Sequence, residues 1–216
     1  DTFFVAQLGT AAVAAVGVVF SISSVLSALG FWMGTGGSSL VSLYLGAREK
    51  EKAHCAASTG FFLALGLGGV IAAGGLLALE PLMRLLGTPE NVFADSQLYL
   101  NVYSGGLTFL FLYKFCAGVF AALGDSRTPL YFLIASSLAN IVMDVVFVVC
   151  FHMGVGGVAW ATFLCQGVAS VLAAWTLFRR LRGVPAPERH PLFSWWMLGC
   201  IARIAVPRIF QQSVIS

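Results

Sequence analysis

From Cys55 to Leu79 the chain runs without a charged residue, and from Leu130 to Phe151 it carries only Asp144. Similar apolar runs cover Ala11–Leu45, Gln97–Leu123 and Val158–Leu181. Each is long enough to cross a bilayer, which takes about 20 residues. A backbone in lipid must satisfy its own hydrogen bonds, so such segments are helices or strands of a closed barrel. Barrel strands alternate apolar and polar residues over about ten positions, whereas these runs are continuous and longer. The fold class expected is all-α, a polytopic transmembrane helix bundle. Charged residues at 10% and a mean hydropathy of +0.91 agree, far from the composition of a soluble domain.

The first run exceeds one straight crossing, and Gly34, Gly36 and Gly37 mark a bend or a close helix contact within it. A basic loop, Arg48–His54, follows. Gly66, Gly68, Gly69, Gly74 and Gly75 give the second span small faces for packing. Glu80-Pro81 is expected to end that span and Asp95-Ser96 to cap the third. Gly124–Pro129 reads as a tight turn with Pro129 in the first turn of the next helix. Gly154–Gly157 reads as a short hairpin, and Arg179–Pro191 as the longest linker. A last span begins near Leu192 and contains Pro207. The chain opens at Asp1 and stops at Ser216 within apolar sequence, so truncation at both ends is expected.

The basic residues alternate along the chain. Arg48, Lys50 and Lys52 share one connection, Arg127 lies in the next but one, and Arg179, Arg180, Arg182 and Arg189 lie in a third. The intervening connections hold Glu90 and Asp95, or His152, with Arg84 the nearby cation. Cytoplasmic loops collect Lys and Arg, so the basic connections are assigned to the inside. A net charge of +3 spread over short loops offers no face for nucleic acid. The five cysteines show no CxxC or Cys/His spacing, so they read as small buried hydrophobes, and no metal site is expected.

A carboxylate at membrane depth costs several kcal/mol unless paired, hydrated or protonated, which makes Asp144 a functional candidate. Ser136, Asn140 and Asp144 are spaced by four and stack on one helix face. Thr162, Gln166 and Ser170 repeat the spacing on the neighbouring antiparallel helix. A carboxylate, an amide and a hydroxyl converging there can hold a sodium ion or a proton, or else serve as polar glue between helices. Asp1 is a second intramembrane acid. Lys114 either snorkels to the cytoplasmic face or faces a cavity, and Arg203 and Arg208, flanking Pro207, are expected to snorkel. The aromatics of the third span, Tyr99, Tyr103 and Tyr113 among them, suit packing and interface belts. No HExxH, GxSxG or P-loop occurs, so nothing nominates an enzyme.

Several segments together resemble the multidrug and toxic compound extrusion (MATE) family. They are Asp1–Val5, Leu8-Gly9, Ala14–Gly17, Gly46–Ala53, Ala122–Pro129, Asn140 with Asp144, Gly154–Thr162, and Pro207 followed by Gln211-Gln212-Ser213. The resemblance covers the whole chain and implies a twelve-helix secondary antiporter built of two six-helix lobes. It implies a first lobe at 1–182, an inter-lobe linker at 183–191, and the start of the seventh helix at 192–216. Asp1, Asn140, Asp144 and Thr162 would form the cation or proton site, with H+ or Na+ as the coupling ion and no other cofactor. The resemblance adds Tyr99 to the substrate cavity, for which the residues themselves offer Lys114, Ser136 and Gln166. Where many relatives place an asparagine in the third span, this chain has Cys116-Ala117. The implied partners are small drug-like molecules, often cationic, the lipid bilayer and the second lobe of the same chain, at the cell membrane. A lipid-linked oligosaccharide flippase of similar topology, or a membrane subunit without transport, are the alternatives.

Overall fold

The computed structural model describes residues 37–85, 90–183 and 193–203. Helix α1 covers 37–46, α2 Lys50–Leu85, α3 Glu90–Ala122, α4 Arg127–Val145, α5 Gly154–Arg182 and α6 195–203. A π-helical turn, Val146–Cys150, continues α4. No strand occurs among the described residues, and α2, α3, α4 with its π turn, and α5 each carry a stretch long and apolar enough to cross a membrane. The expected helical bundle is what forms.

The helix ends differ from the sequence reading, each for a local reason. The basic loop shrinks to 47–49: Ala53 N–H donates to the Glu49 carbonyl at 3.0 Å, and Glu49 pairs with Lys52 at 2.9 Å. Arg48 absorbs the corner with φ 61°. Pro81 does not end α2, which continues to Leu85, and the Glu80–Arg84 ion pair at 2.9 Å bridges one turn across the proline. Ser96 does not cap α3. That helix starts at Glu90 and holds Ser96 fully buried inside it. The glycines from Gly154 to Gly157 are the first turn of α5, not a loop, so the connection is only 151–153. A Cβ at Gly156 would meet Leu98 at 2.8 Å, and one at Gly157 would meet Phe147 at 3.0 Å. These glycines are there for close approach.

Helix α3 lies between α2 and α5, and α4 packs on α5 at the edge. Two apolar clusters hold the bundle. One joins Val41 of α1, Ala56 of α2, Phe115 and Phe120 of α3, Leu177 of α5, and Met197 and Ile201 of α6. The other joins Met83 of α2, Tyr99 and Leu100 of α3, and Val158 of α5. Of the five small-residue positions proposed for α2, only Gly68 and Gly75 face α3, whereas Gly66, Gly69 and Gly74 meet nothing. The tightest contact is Phe115, since a Cβ at Gly60 would lie 2.5 Å and one at Gly37 2.6 Å from its ring. The last segment also docks here: Ser194 N–H donates to Thr59 Oγ1 at 3.2 Å, and Ser194 Oγ accepts from Met197 N–H.

The turn between α3 and α4 is closed by its own chemistry. Gly124, at φ 79°, lets Asp125 N–H reach back to the Phe120 carbonyl at 2.9 Å, ending α3. Asp125 then accepts from the backbone N–H groups of Arg127 and Thr128 and from the Thr128 hydroxyl at 2.6 Å. Its other partner is distant in sequence: Arg180, at the end of α5, pairs with Asp125 at 2.5 Å and also donates to Thr128 Oγ1. Tyr113 adds a bond from its hydroxyl to the Pro129 carbonyl at 2.7 Å. The basic connections at Arg127 and Arg179–Arg182 therefore share one end of the bundle, as the charge alternation requires.

Two outcomes follow for stability. Gly60→Ala should cost about 1–3 kcal/mol by overpacking, read as a lower thermal midpoint in detergent, and adding Phe115→Leu should recover part of it. An unchanged midpoint would remove this seam from the account. The Asp125 carboxyl is held below its ordinary range, first by the Thr128 hydroxyl and then by the Thr128 backbone N–H, with Arg180 adding to them. A depressed carboxylate stabilises the fold above its unfolded pKa, about 3.9, and loses that effect as pH falls through its lower folded value. The midpoint of Asp125→Asn should thus lie below wild type near neutral pH and converge with it in acid. Parallel curves down to acid would count against the ion pair.

Candidate functional site

Asp144 is the only fully buried residue of α4, at 0% exposure, on a helix otherwise lined with exposed Leu133, Ile134, Leu138, Ile141 and Val142. The less exposed positions of that helix, Phe132, Ser136, Asn140 and Met143, recur every three or four residues and lead to Asp144. This is the face that meets α5. One helix therefore shows its aliphatic side outward and sends its one acid inward. Asp144 lies within Coulombic range of Tyr99 and Cys165. Directly after it the backbone widens into the π turn, where Phe151 N–H donates to the Val146 carbonyl at 3.1 Å. Single π turns inside helices are frequent at functional sites.

Beside this face is a cavity of about 250 Å³ between α3, α4 and α5. Its polar lining is Lys114 from α3, Ser136, Ser137 and Asn140 from α4, and Thr162 and Gln166 from α5. Asn140 Nδ2 donates to Thr162 Oγ1 at 3.4 Å, and Ser136 Oγ donates to the Cys165 carbonyl at 3.3 Å. Both bonds tie α4 to α5, and both do so through side chains that also face the cavity. The apolar remainder includes Leu110, Leu133 and Ala169. The cavity is thus amphipathic, with its hydroxyls and amides on the α4–α5 wall and its cation on the α3 wall.

The sequence candidates fall into three groups. Asn140 and Thr162 meet as expected, with Asp144 one turn further along the same face. Lys114, Ser136 and Gln166 line the cavity. Tyr99 does not line it. The ring stacks on Tyr103 at 6.3 Å and packs into the second apolar cluster, because Leu79, Met83 and Val155 close over it. Ser170 also turns away, donating to the Gly167 carbonyl at 2.8 Å. Asp1, Arg208 and Pro207 lie outside the described residues, while Arg203 is exposed on α6. Ser137 and the Tyr113 clamp escaped the sequence reading. The adjacent pair Ser136-Ser137 was the available signal for the former. Cysteines 55, 116 and 165 are buried as expected, but Cys150 is exposed on the π turn.

Comparison with known proteins sharpens the picture. Residues 1–146, more than half of the chain, match the family model MatE. The "Probable multidrug resistance protein YpnP" of Bacillus subtilis (strain 168) is 32% identical over 211 residues, which are 97% of this chain and 46% of that protein. The FAD transporter of Shewanella oneidensis is 27% identical over 188 residues, 84% of this chain and 41% of that protein. A crystal structure of MATE in the bent conformation superposes with a TM-score of 0.87 at 30% identity, covering 96% of this chain and 46% of that one. The chain spans about half the length of the curated relatives it matches. With four helices among the described residues long and apolar enough to cross a membrane, and the family model matched over more than half its length, the chain belongs to the MatE family of multi-pass membrane transporters.

Proposed function

We infer that this chain forms the first lobe of a secondary active antiporter that exports amphipathic, drug-like organic compounds in exchange for protons or sodium ions. In that reading 1–182 is the first lobe, 183–191 the inter-lobe linker and 192–216 the start of the second lobe, with the whole in the cell membrane. Relatives named for multidrug resistance, multidrug export and FAD transport support export of organic molecules in general. The observation that carries the coupling is the burial of Asp144 beside a polar seam that borders the cavity.

The proposed chemistry is short. Asp144 takes up the coupling cation, H+ or Na+, and Asn140 and Thr162, one turn away, supply an amide and a hydroxyl to the same face. Asp1 completes this site as the family resemblance implies. Asn140 and Thr162 also line the cavity, so a change in their hydrogen bonding on ion loading alters the wall that substrate touches. Such a link drives transport only if the ion binds the two access states with different affinity, and lobes rocking about a central site provide two such states. A flippase of lipid-linked sugars would call for several cations in the cavity; Lys114 is the one among its described lining residues.

In the intact transporter, Asp144→Asn should abolish gradient-driven efflux of a fluorescent drug-like compound while leaving membrane insertion and thermal midpoint close to wild type. Efflux at the wild-type rate from that variant would end the coupling role of Asp144. A structural subunit without transport would tolerate the exchange.

A further inference from the structure

Lys114 lines the cavity, and among the described residues its ammonium group has no ion pair and no hydrogen bond. Among the described residues, every other polar group of the cavity lining is a neutral hydroxyl, amide or thiol, and Asp144 is not part of that lining. The nearest fixed acid of the turn region, Asp125, is engaged by Arg180 and Thr128.

A cation held in a partly apolar membrane cavity repels a second cation and attracts an anion more strongly than it would in water. We propose that this cavity selects amphipathic substrates bearing a carboxylate, sulfonate or phosphate, with Lys114 as the residue that binds the anionic group. Gln166 and Ser137, which border the same space, donate to its remaining oxygens. The apolar body of the substrate rests on Leu110, Leu133 and Ala169. This departs from the cationic compounds that the family resemblance implies. It rests on the export reading only in naming the bound molecule a substrate; the binding itself stands apart.

The test is equilibrium binding of two dyes with the same xanthene core, anionic carboxyfluorescein and the cationic methyl ester of tetramethylrhodamine, to the intact transporter in detergent. Wild type should prefer carboxyfluorescein. Lys114→Gln should weaken that dye by about tenfold, the factor that 1.4 kcal/mol makes, and invert the preference, whereas Lys114→Arg should retain it. Wild-type preference for the cationic ester overturns the proposal without any variant, as does unchanged carboxyfluorescein binding by Lys114→Gln. Proteoliposomes separate the two readings. Lys114-dependent binding without gradient-driven efflux would uphold the anion site and remove export. Driven efflux of the cationic ester with no Lys114-dependent binding would do the reverse.

Discussion

Inside a bilayer two apolar helices gain little by meeting, because lipid tails are as apolar as leucine. What holds this bundle is shape, concentrated on α3. The Phe115 ring fills the space left by missing side chains at Gly37 and Gly60, and the α3 backbone at Thr108 comes close enough to Gly68 that a Cβ there would sit 3.0 Å from its Cα. On the opposite flank Phe163 of α5 packs edge-on against Phe109 of α3, with ring centroids 5.4 Å apart. Because α3 is wedged on both sides, the Lys114 backbone is fixed relative to α5. A cavity with a defined cation on one wall needs that rigidity.

Helix α4 stands in contrast. It packs on α5, and polar bonds pin it: Asp125 with Arg180 and Tyr113 with Pro129 at one end, Ser136 and Asn140 to α5 along its length. Hydrogen bonds of this kind between membrane helices are worth ~0.6 kcal/mol on average, much less than a buried aromatic seam. The helix bearing the acid is therefore the more weakly held wall of the cavity, and the π turn beside Asp144 gives it a place where backbone hydrogen bonding already departs from the α pattern. That combination suits an element meant to shift.

Much of this was readable from residue order. Apolar runs with one acid, the four-residue spacing of Ser136, Asn140 and Asp144, and the matching Thr162 and Gln166 locate the α4–α5 wall. Four things were not legible, each because it depends on surroundings that residue order does not contain. Asp125 looked like turn chemistry, since nothing local reveals that Arg180 returns to it. Ser96 had the residue type of a cap, yet burial against neighbours decided its place, and Pro81 failed to stop a helix that lipid leaves no better alternative. Tyr99 was assigned to the cavity through family resemblance, but a ring at its height is taken up by Leu79, Met83 and Val155.

The separation of the two charges gives the lobe its logic. Had Lys114 faced Asp144, the two would neutralise each other, and neither would retain a strong preference for an ion or a substrate. Breaking a buried pair is expensive, so such a lobe would be locked. Here the acid is buried outside the cavity lining while Lys114 belongs to it, and the neutral Ser136, Asn140, Thr162 and Gln166 share that lining. Neutral hydrogen-bonding groups can reverse donor and acceptor roles at low cost, whereas a row of charges cannot. The two charged residues thus keep separate surroundings, and the hydroxyls and amides between α4 and α5 carry no net charge that would tie one to the other.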